Sequence, residues 1–334
     1  MSIQASISNL FETKQKRKTL NIYESIIKPV IRTLTAPLLG IIIFLFIWTI
    51  SAANIHTSLG EFPGPSAALK QGAVLWQEHK ESGIKESAFY QRQEQKNAQR
   101  IALQPDYVAK VRPYTGAPDF IDQISTSLLT VMAGFALSSL IAIPFGIIIG
   151  LNSMLHAASN PIIQIFKPVS PLAWLPLVTM VVSALYISDD PLLPKSFVTS
   201  VITVTLCSLW PTLINTAVGV ATIDDDLKNV SKVLRLGWFS HVKKIVIPSA
   251  TPMIFTGLRL SLSTAWMVLI AAEMLSQNPG LGKFVWDEFQ NGSSSSLARI
   301  MFAVLTIGVI GFVLDRIMLA LQRYASWDKN SSSL

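Results

Sequence analysis

The chain has 334 residues, half of them hydrophobic, with only 14% charged and a formal net charge of +7. Its apolar residues gather into long runs instead of being spread over core positions, which excludes an ordinary water-soluble fold. The single cysteine, Cys207, excludes an intrachain disulfide framework and any zinc site with paired thiolates.

Residues 1–33 form a polar, basic tail holding Lys14, Lys16, Arg17, Lys18, Lys28 and Arg32. Within it Leu20–Ile31 reads either as an amphipathic helix on the membrane surface or as a plain flank of the anchor that follows. Residues 34–53 then make the first of six apolar runs that reach the roughly 20 residues a bilayer crossing requires. The others are Leu128–Ile149, Ser170–Ile187, Phe197–Ala221, Thr251–Leu275 and Leu297–Leu321. Segments such as Pro37–Ala53 have no polar face, so a buried helix of a soluble protein is a poor substitute. The first run ends in Thr49-Ile50-Ser51-Ala52-Ala53, which invites a signal-peptide reading; it begins too far in and is long enough to span, which favours a retained anchor.

Residues 54–120 are an insert of mixed charge. After the turn cluster Phe62-Pro63-Gly64-Pro65, Ser66–Gln77 and Lys85–Leu103 are rich in Ala, Gln, Glu and Lys and predict two solvated helices separated near Gly83. Residues 121–323 hold the other five spans, interrupted by a charged loop at residues 222–250, and residues 324–334 form a second tail.

That loop is the most informative part of the chain. Thr222 is a candidate N-cap with Asp225 three residues on, and Asp224, Asp225 and Asp226 place negative charge where a helix dipole is positive. Ile223, Leu227, Val230 and Leu234 recur at helical spacing, with Lys228, Ser231, Lys232 and Arg235 on other faces. Gly237 suits the left-handed residue that ends a helix, Trp238, Phe239, Val242, Ile245 and Val246 start a second apolar stripe, and Pro248 suits the start of the next helix. The pattern predicts helix, turn and helix.

Basic residues sort by loop. Lys228, Lys232, Arg235, Lys243 and Lys244 lie in residues 222–250 and Arg323 and Lys329 follow the last span, whereas the short loops of opposite parity hold only Lys195 and Lys283, each near acids. The positive-inside rule therefore predicts cytoplasmic termini, a cytoplasmic loop 222–250 and an insert outside. Basicity orients the chain in a lipid bilayer and does not imply a nucleic-acid partner.

The sequence carries no recognisable catalytic motif. The nearest approach to a phosphate-binding loop, Pro279-Gly280-Leu281-Gly282-Lys283, lacks the first glycine at the needed distance and is followed by Phe284. His56, His79, His156 and His241 have no metal-like spacing, and no serine sits in a nucleophile-elbow context. The reading is a chain that is not an enzyme, whose energy comes from another subunit. Glu273 lies near one end of its span and is expected to form an interfacial pair with Lys283 or Arg299.

Gly237 and its spacing to Ile245-Val246-Ile247-Pro248 resemble the coupling loop of permease subunits of bacterial ABC importers, where E-A-A-x3-G is followed by I-x-L-P. Ser231-Lys232-Val233 stand at the E-A-A positions, so the motif's glutamate is missing. Within that group the chain is similar to permeases for nitrate, bicarbonate, cyanate, taurine and alkanesulfonates, and most to the nitrate type. The residues that carry this are Ser170-Pro171-Leu172-Ala173-Trp174-Leu175-Pro176, Leu209-Trp210-Pro211-Thr212-Leu213-Ile214-Asn215-Thr216, Thr256-Gly257-Leu258-Arg259, Ala271-Ala272-Glu273-Met274-Leu275 and Gly280-Leu281-Gly282-Lys283-Phe284-Val285-Trp286-Asp287-Glu288.

The resemblance implies an all-α polytopic fold of the ABC importer type I class with six transmembrane helices, in a bacterial inner membrane. It implies ATPase subunits, a periplasmic solute-binding protein and a second permease copy as partners, with ATP and Mg used by the ATPase and no cofactor on this chain. Leu227, Val230, Ser231, Lys232, Leu234, Arg235, Gly237 and Pro248 become the coupling residues. A small anion crossing hydrocarbon needs hydroxyl or amide donors, for which Thr203, Thr205, Asn215, Ser261, Ser263 and Thr264 are candidates, although each could equally hold helices together. A secondary carrier would show paired ionisable residues or symmetric broken helices, and a membrane scaffold would not need the coupling loop.

Overall fold

A computed structural model describes residues 28–57, 60–104, 107–187, 192–293 and 295–325. The proposed surface helix at Leu20–Ile31 falls mainly outside the described residues, as do the basic cluster Lys14–Lys18 and most of the tail at 324–334. Contacts divide the chain into two units, Met1–Leu69 and Lys70–Leu334.

In the first unit, α1 (Lys28–Asn54) is an apolar rod whose Leu38, Ile42, Phe46 and Ile47 are exposed, as a lipid-facing helix requires. Its end is fixed where the indole N–H of Trp48 donates to Pro63 O at 3.1 Å and Ala52 meets Gly64. Between them β1 (His56–Thr57) and β2 (Gly60–Glu61) pair antiparallel in a two-residue ribbon.

Helix α2 (Pro65–Leu103) is continuous over 39 residues, so the expected break near Gly83 does not occur. A mid-helix glycine costs only about 1 kcal/mol against alanine, and the flanking Ala, Gln, Glu and Lys residues outweigh it. In the second unit the early turns of α2 are anchored. Leu75 enters the core, Gly72 lies flat against the Phe302 ring, and Glu78 pairs with Arg299.

Helix α3 (Phe120–Leu151) starts at a capping box: Asp119 accepts from the N–H groups of Ile121 and Asp122, and Asp122 accepts from the Asp119 N–H. His79 meets Asp119 at 2.7 Å. Helices α4 (Ser153–Phe166) and α5 (Pro171–Leu185) follow, bent by 98° at the break between them. At 1.5 Å per residue α5 alone is about 22 Å long, short of a hydrocarbon core, so the third expected span, Ser170–Ile187, coincides with a helix too short to cross by itself. Ser170 caps α5, accepting from the Leu172 N–H, with Pro171 at the first helical position.

The remaining elements are α6 (Lys195–Ala221), α7 (Asp225–Val233), α8 (Trp238–His241), a π turn (Val242–Val246), α9 (Ile247–Ser276), α10 (Leu281–Asn291) and α11 (Ser296–Ala325). Among the described residues five helices are long and apolar enough to cross a membrane, and counting the bent α4–α5 pair as one broken span brings the number to six. The fifth begins earlier than residue 251, because α8, the π turn and α9 form one run from Trp238 to Ser276.

Helix α6 is the hub, packed along its length on α3 and α9. Small residues allow this. A Cβ on Gly146 would lie 2.7 Å from the Thr216 Cβ, and one on Gly257 would lie 2.9 Å from the Thr212 Cα. One core gathers Val131, Val204, Leu262, Trp266, Leu269 and Phe284, and a second gathers Ile147, Val220, Ile223, Val242, Val246 and Ile254 under the charged loop. Leu129, Leu140, Phe145, Met267 and Phe312 face outward, as lipid contact demands.

Candidate functional site

Asp224, not Thr222, is the N-cap of α7, accepting from the Asp226 N–H at 2.9 Å; Thr222 instead closes α6. Lys228 donates to Asp225 at 2.9 Å, and that bond holds the exposed Asp225 carboxyl below its ordinary value. The far end corrects a second expectation. Leu236 N–H donates to Ser231 O and Arg235 N–H to Lys232 O, a Schellman closure whose left-handed residue is Arg235 at φ 47°. Gly237 has φ −64° and ψ 158°, an extended conformation open to any residue, and leads into α8. The helix closes two residues earlier than a glycine stop would close it.

The π turn lies just ahead of Pro248, and its last bond runs five residues back, from the Ile247 N–H to Val242 O. The widened turn accommodates a ring that would otherwise press on the carbonyl four residues earlier. Pro248 therefore sits in the first turn of α9, as expected, but within an unbroken helical run.

Helix α7 is fastened inward by Ile223, by Ser231 and by the 2.8 Å bond between Ser231 Oγ and His241 Nδ1. Ser231 is thus buried and does not belong to an outward face with Arg235. Leu227, Val230, Val233, Leu234, Trp238 and Phe239 are all exposed, at 41–81%. A short helix between two spans thus leaves apolar side chains without a partner among the described residues, which is the form a helix takes when it fills another protein's groove.

The candidate path residues divide by partner. Thr203, Asn215 and Thr264 bond carbonyls of their own helices, at Thr199, Pro211 and Leu260. Thr205 bonds Gly134 O across the α3–α6 contact as well as Val201 O. Ser261 Oγ donates to Ser208 O at 2.5 Å and accepts from the Thr212 N–H and hydroxyl, at 3.1 and 2.7 Å, so it bridges one turn of α6 beside Pro211. Ser263 is exposed, beside a cavity of about 170 Å³ that Trp266 and Asp315 also line. The Ser138, Ser208 and Thr216 hydroxyls are buried without a hydrogen-bond partner among the described residues.

Two polar clusters were not anticipated. Glu273 is fully buried and has no cation beside it among the described residues; its carboxyl accepts from Ser127 Oγ at 2.8 Å and from the Gly282 N–H at 3.0 Å. Ser127 in turn accepts from the Leu281 N–H at 2.8 Å, which ties α3, α9 and α10 together. Lys283 and Arg299, the expected partners, are engaged elsewhere, with Asp287 and with Glu78 and Glu288. Arg259 of α9 grips Asp315 of α11 bidentately at 2.6 and 3.0 Å, a paired charge inside the spans. The sequence signal for both was single charged residues within apolar runs, without an indication of which would meet.

The described residues thus form apolar spans with an exposed amphipathic helix between two of them. Residues 142–326 match the family described as binding-protein-dependent transport system inner membrane component, and the chain belongs to that family. It is 35% identical over 204 residues to the nitrate import permease protein NrtB of Synechococcus elongatus, covering 61% of this chain and 69% of that protein. It is 40% identical over 202 residues to the bicarbonate transport system permease protein CmpB of Synechocystis sp., covering 60% and 67%. The fold is similar to that of an inward-facing MetNI methionine ABC transporter, with a TM-score of 0.52 at 13% identity over 62% of this chain and 95% of that one. The chain is accordingly a multi-pass inner-membrane subunit of an ABC importer, a family that works with ATPase and solute-binding partners.

Proposed function

We propose that this subunit forms the pathway for a small oxyanion, nitrate or nitrite foremost, with bicarbonate as the second reading and cyanate, taurine or alkanesulfonates behind it. The observation that carries the coupling half is the exposed apolar surface of Leu227, Val230 and Leu234 on a helix clamped to α8 by Ser231 and His241. Closure of an ATPase cleft around that surface would be passed through the continuous Trp238–Ser276 run into the membrane as a lever. The basic-residue asymmetry supports cytoplasmic termini and a cytoplasmic loop. One chain offers one loop and a pair of ATPases two clefts, so two copies related by a two-fold axis enclose the path; native mass spectrometry showing a dissimilar second permease would contradict this. ATP and Mg belong to the ATPase, and this chain carries no cofactor of its own.

Among the path candidates, Asn215, Ser263 and Thr264 remain half-buried or exposed, whereas Thr205 and Ser261 are committed to contacts between helices. Relatives named for nitrate and for bicarbonate support a small oxyanion without choosing between them. The choice is tested in vesicles holding permease, ATPase and binding protein, by comparing uptake of labelled nitrate and labelled bicarbonate. Nitrate uptake that excess bicarbonate leaves unchanged is expected; bicarbonate uptake without nitrate uptake would reverse the order.

A further inference from the structure

The outer turns of α2 carry a feature that transport through the spans does not use. Arg92, Lys96 and Arg100 recur every fourth residue, so they form one stripe about 12 Å long on one face of the helix. The chain then returns alongside. Gln93 grips both polar backbone groups of Arg112, donating to its carbonyl at 3.1 Å and accepting from its N–H at 2.6 Å. Asn97 donates to Lys110 O at 3.1 Å, and the Tyr90 hydroxyl accepts from the Tyr114 N–H at 3.1 Å. Three polar side chains are thus spent on fixing an otherwise irregular segment against the helix, which offsets the entropy of ordering it.

The result is a cleft of about 540 Å³ to which Arg92, Lys96, Arg100, Lys110 and Arg112 all contribute, and among the described residues no carboxylate lines it. Among the described residues none of these five cations lies within 4 Å of an acid. Tyr107 reinforces the bias: its ring lies under the Arg100 guanidinium at 5.6 Å and its oxygen accepts from Arg100 at 3.2 Å, so its own proton is left to donate. A solvated basic helix face needs neither the concavity nor the clamp. Like charges held together in a concave site with spare donors lower their repulsion by taking up an anion, and guanidinium forks match oxyanion geometry.

We propose that this cleft is a binding site for a small oxyanion taken from solution, distinct from the path through the spans and independent of which solute crosses them. Because the cleft gathers five cations, a doubly charged oxyanion binds more tightly than a singly charged one of similar size. The early turns of the same helix are anchored to α3 and α11 through His79 and Glu78, about 20 Å along α2 from Arg92, so the site stands off from those ends.

The test is calorimetric titration of the full-length permease in uncharged detergent at low ionic strength with sodium sulfate, sodium nitrate and sodium chloride. Saturable sulfate binding at about one per chain, at least tenfold tighter than chloride, is expected, with nitrate between them. Arg100→Gln combined with Arg112→Gln should weaken sulfate binding at least tenfold, and Lys80→Gln, outside the cleft, should leave it unchanged. Should the double variant unfold, Lys96→Gln removes one exposed charge without touching the clamp and should weaken sulfate binding severalfold at an unchanged unfolding midpoint. Absence of saturation, chloride as effective as sulfate, or variants that bind like wild type would overturn the site. Loss of sulfate binding in phosphatidylglycerol nanodiscs but not in phosphatidylcholine ones would assign the cleft to lipid headgroups and overturn a soluble ligand.

Discussion

Removing the Glu273 carboxyl should destabilise the helical core far more than removing either lysine or arginine near it in sequence. In Glu273→Ala the Gly282 N–H and the Ser127 hydroxyl both lose their acceptor in a fully buried place. A buried donor left unsatisfied costs about 1–3 kcal/mol, so the two together cost about 2–6 kcal/mol before lost packing is added. Ser127→Ala should cost about 2–4 kcal/mol, since the Leu281 N–H is orphaned and Glu273 loses one donor. Glu273→Gln keeps the volume and one acceptor oxygen and should be the mildest of the three. Two glycines leave no room for relaxation: a Cβ on Gly280 would lie 2.1 Å from the carboxyl, and one on Gly282 would lie 2.2 Å from Ile270 O. The assay is thermal unfolding of the purified permease in detergent, where the alanine variant should lose on the order of 5–20 °C. An unchanged midpoint for Glu273→Ala, or an equal loss in Lys283→Gln, would refute the buried network and restore an interfacial ion pair.

Gly237→Val should retain full membrane level and uptake, since Gly237 is extended and nothing lies within 4 Å of its Cβ position. Arg235→Val should strain the left-handed turn by roughly 1–2 kcal/mol and lower solute-stimulated ATP hydrolysis, while Arg235→Gly should preserve it. Burial pushes the Asp119 carboxyl up, but the Asp122 and Ile121 N–H groups and His79 outweigh it and leave its value lowered. Its stabilisation is therefore complete above the free-carboxylate value of about 3.9 and is lost as pH falls through the lowered value; the unfolding midpoint of wild type should drop more between pH 5 and pH 3 than that of Asp119→Asn. With Cys207 replaced, an impermeant thiol reagent on intact cells should label a cysteine at exposed Gly83 and spare one at Ser240; the reverse pattern would invert the topology.

The spans were legible because an apolar run of bilayer length has few other uses, and five of the six expected positions coincide with single long helices. The exception, Ser170–Ile187, holds the shorter α5, because Pro171 and Ser170 mark a helix start but say nothing of the 98° bend to α4. Local turn chemistry was less legible. Gly237 is the conspicuous stop, yet the geometry is set by which carbonyls Leu236 and Arg235 reach, and that depends on Ser231 being drawn inward by His241. Gly83 misled in the same way, since one poor helix former does not divide a helix of 39 residues. The Glu273–Ser127–Gly282 network and the Arg259–Asp315 pair join residues far apart in the chain, and no pattern within one segment encodes such meetings.

In the proposed function α7 passes ATP-driven closure into the spans. The direct measurement is uptake of labelled nitrate into vesicles loaded with ATP and a regenerating system and containing the permease, its ATPase and its binding protein, with wild type set against Val230→Asp. Val230 is 49% exposed and makes no core contact, so a charge there should spare folding while disrupting an apolar docking surface. Wild type should accumulate the anion only with hydrolysable ATP, and the variant should reach the vesicle in equal amount but lose most of that uptake. Uptake that persists without ATP, or a Val230→Asp permease that transports like wild type, would contradict the claim.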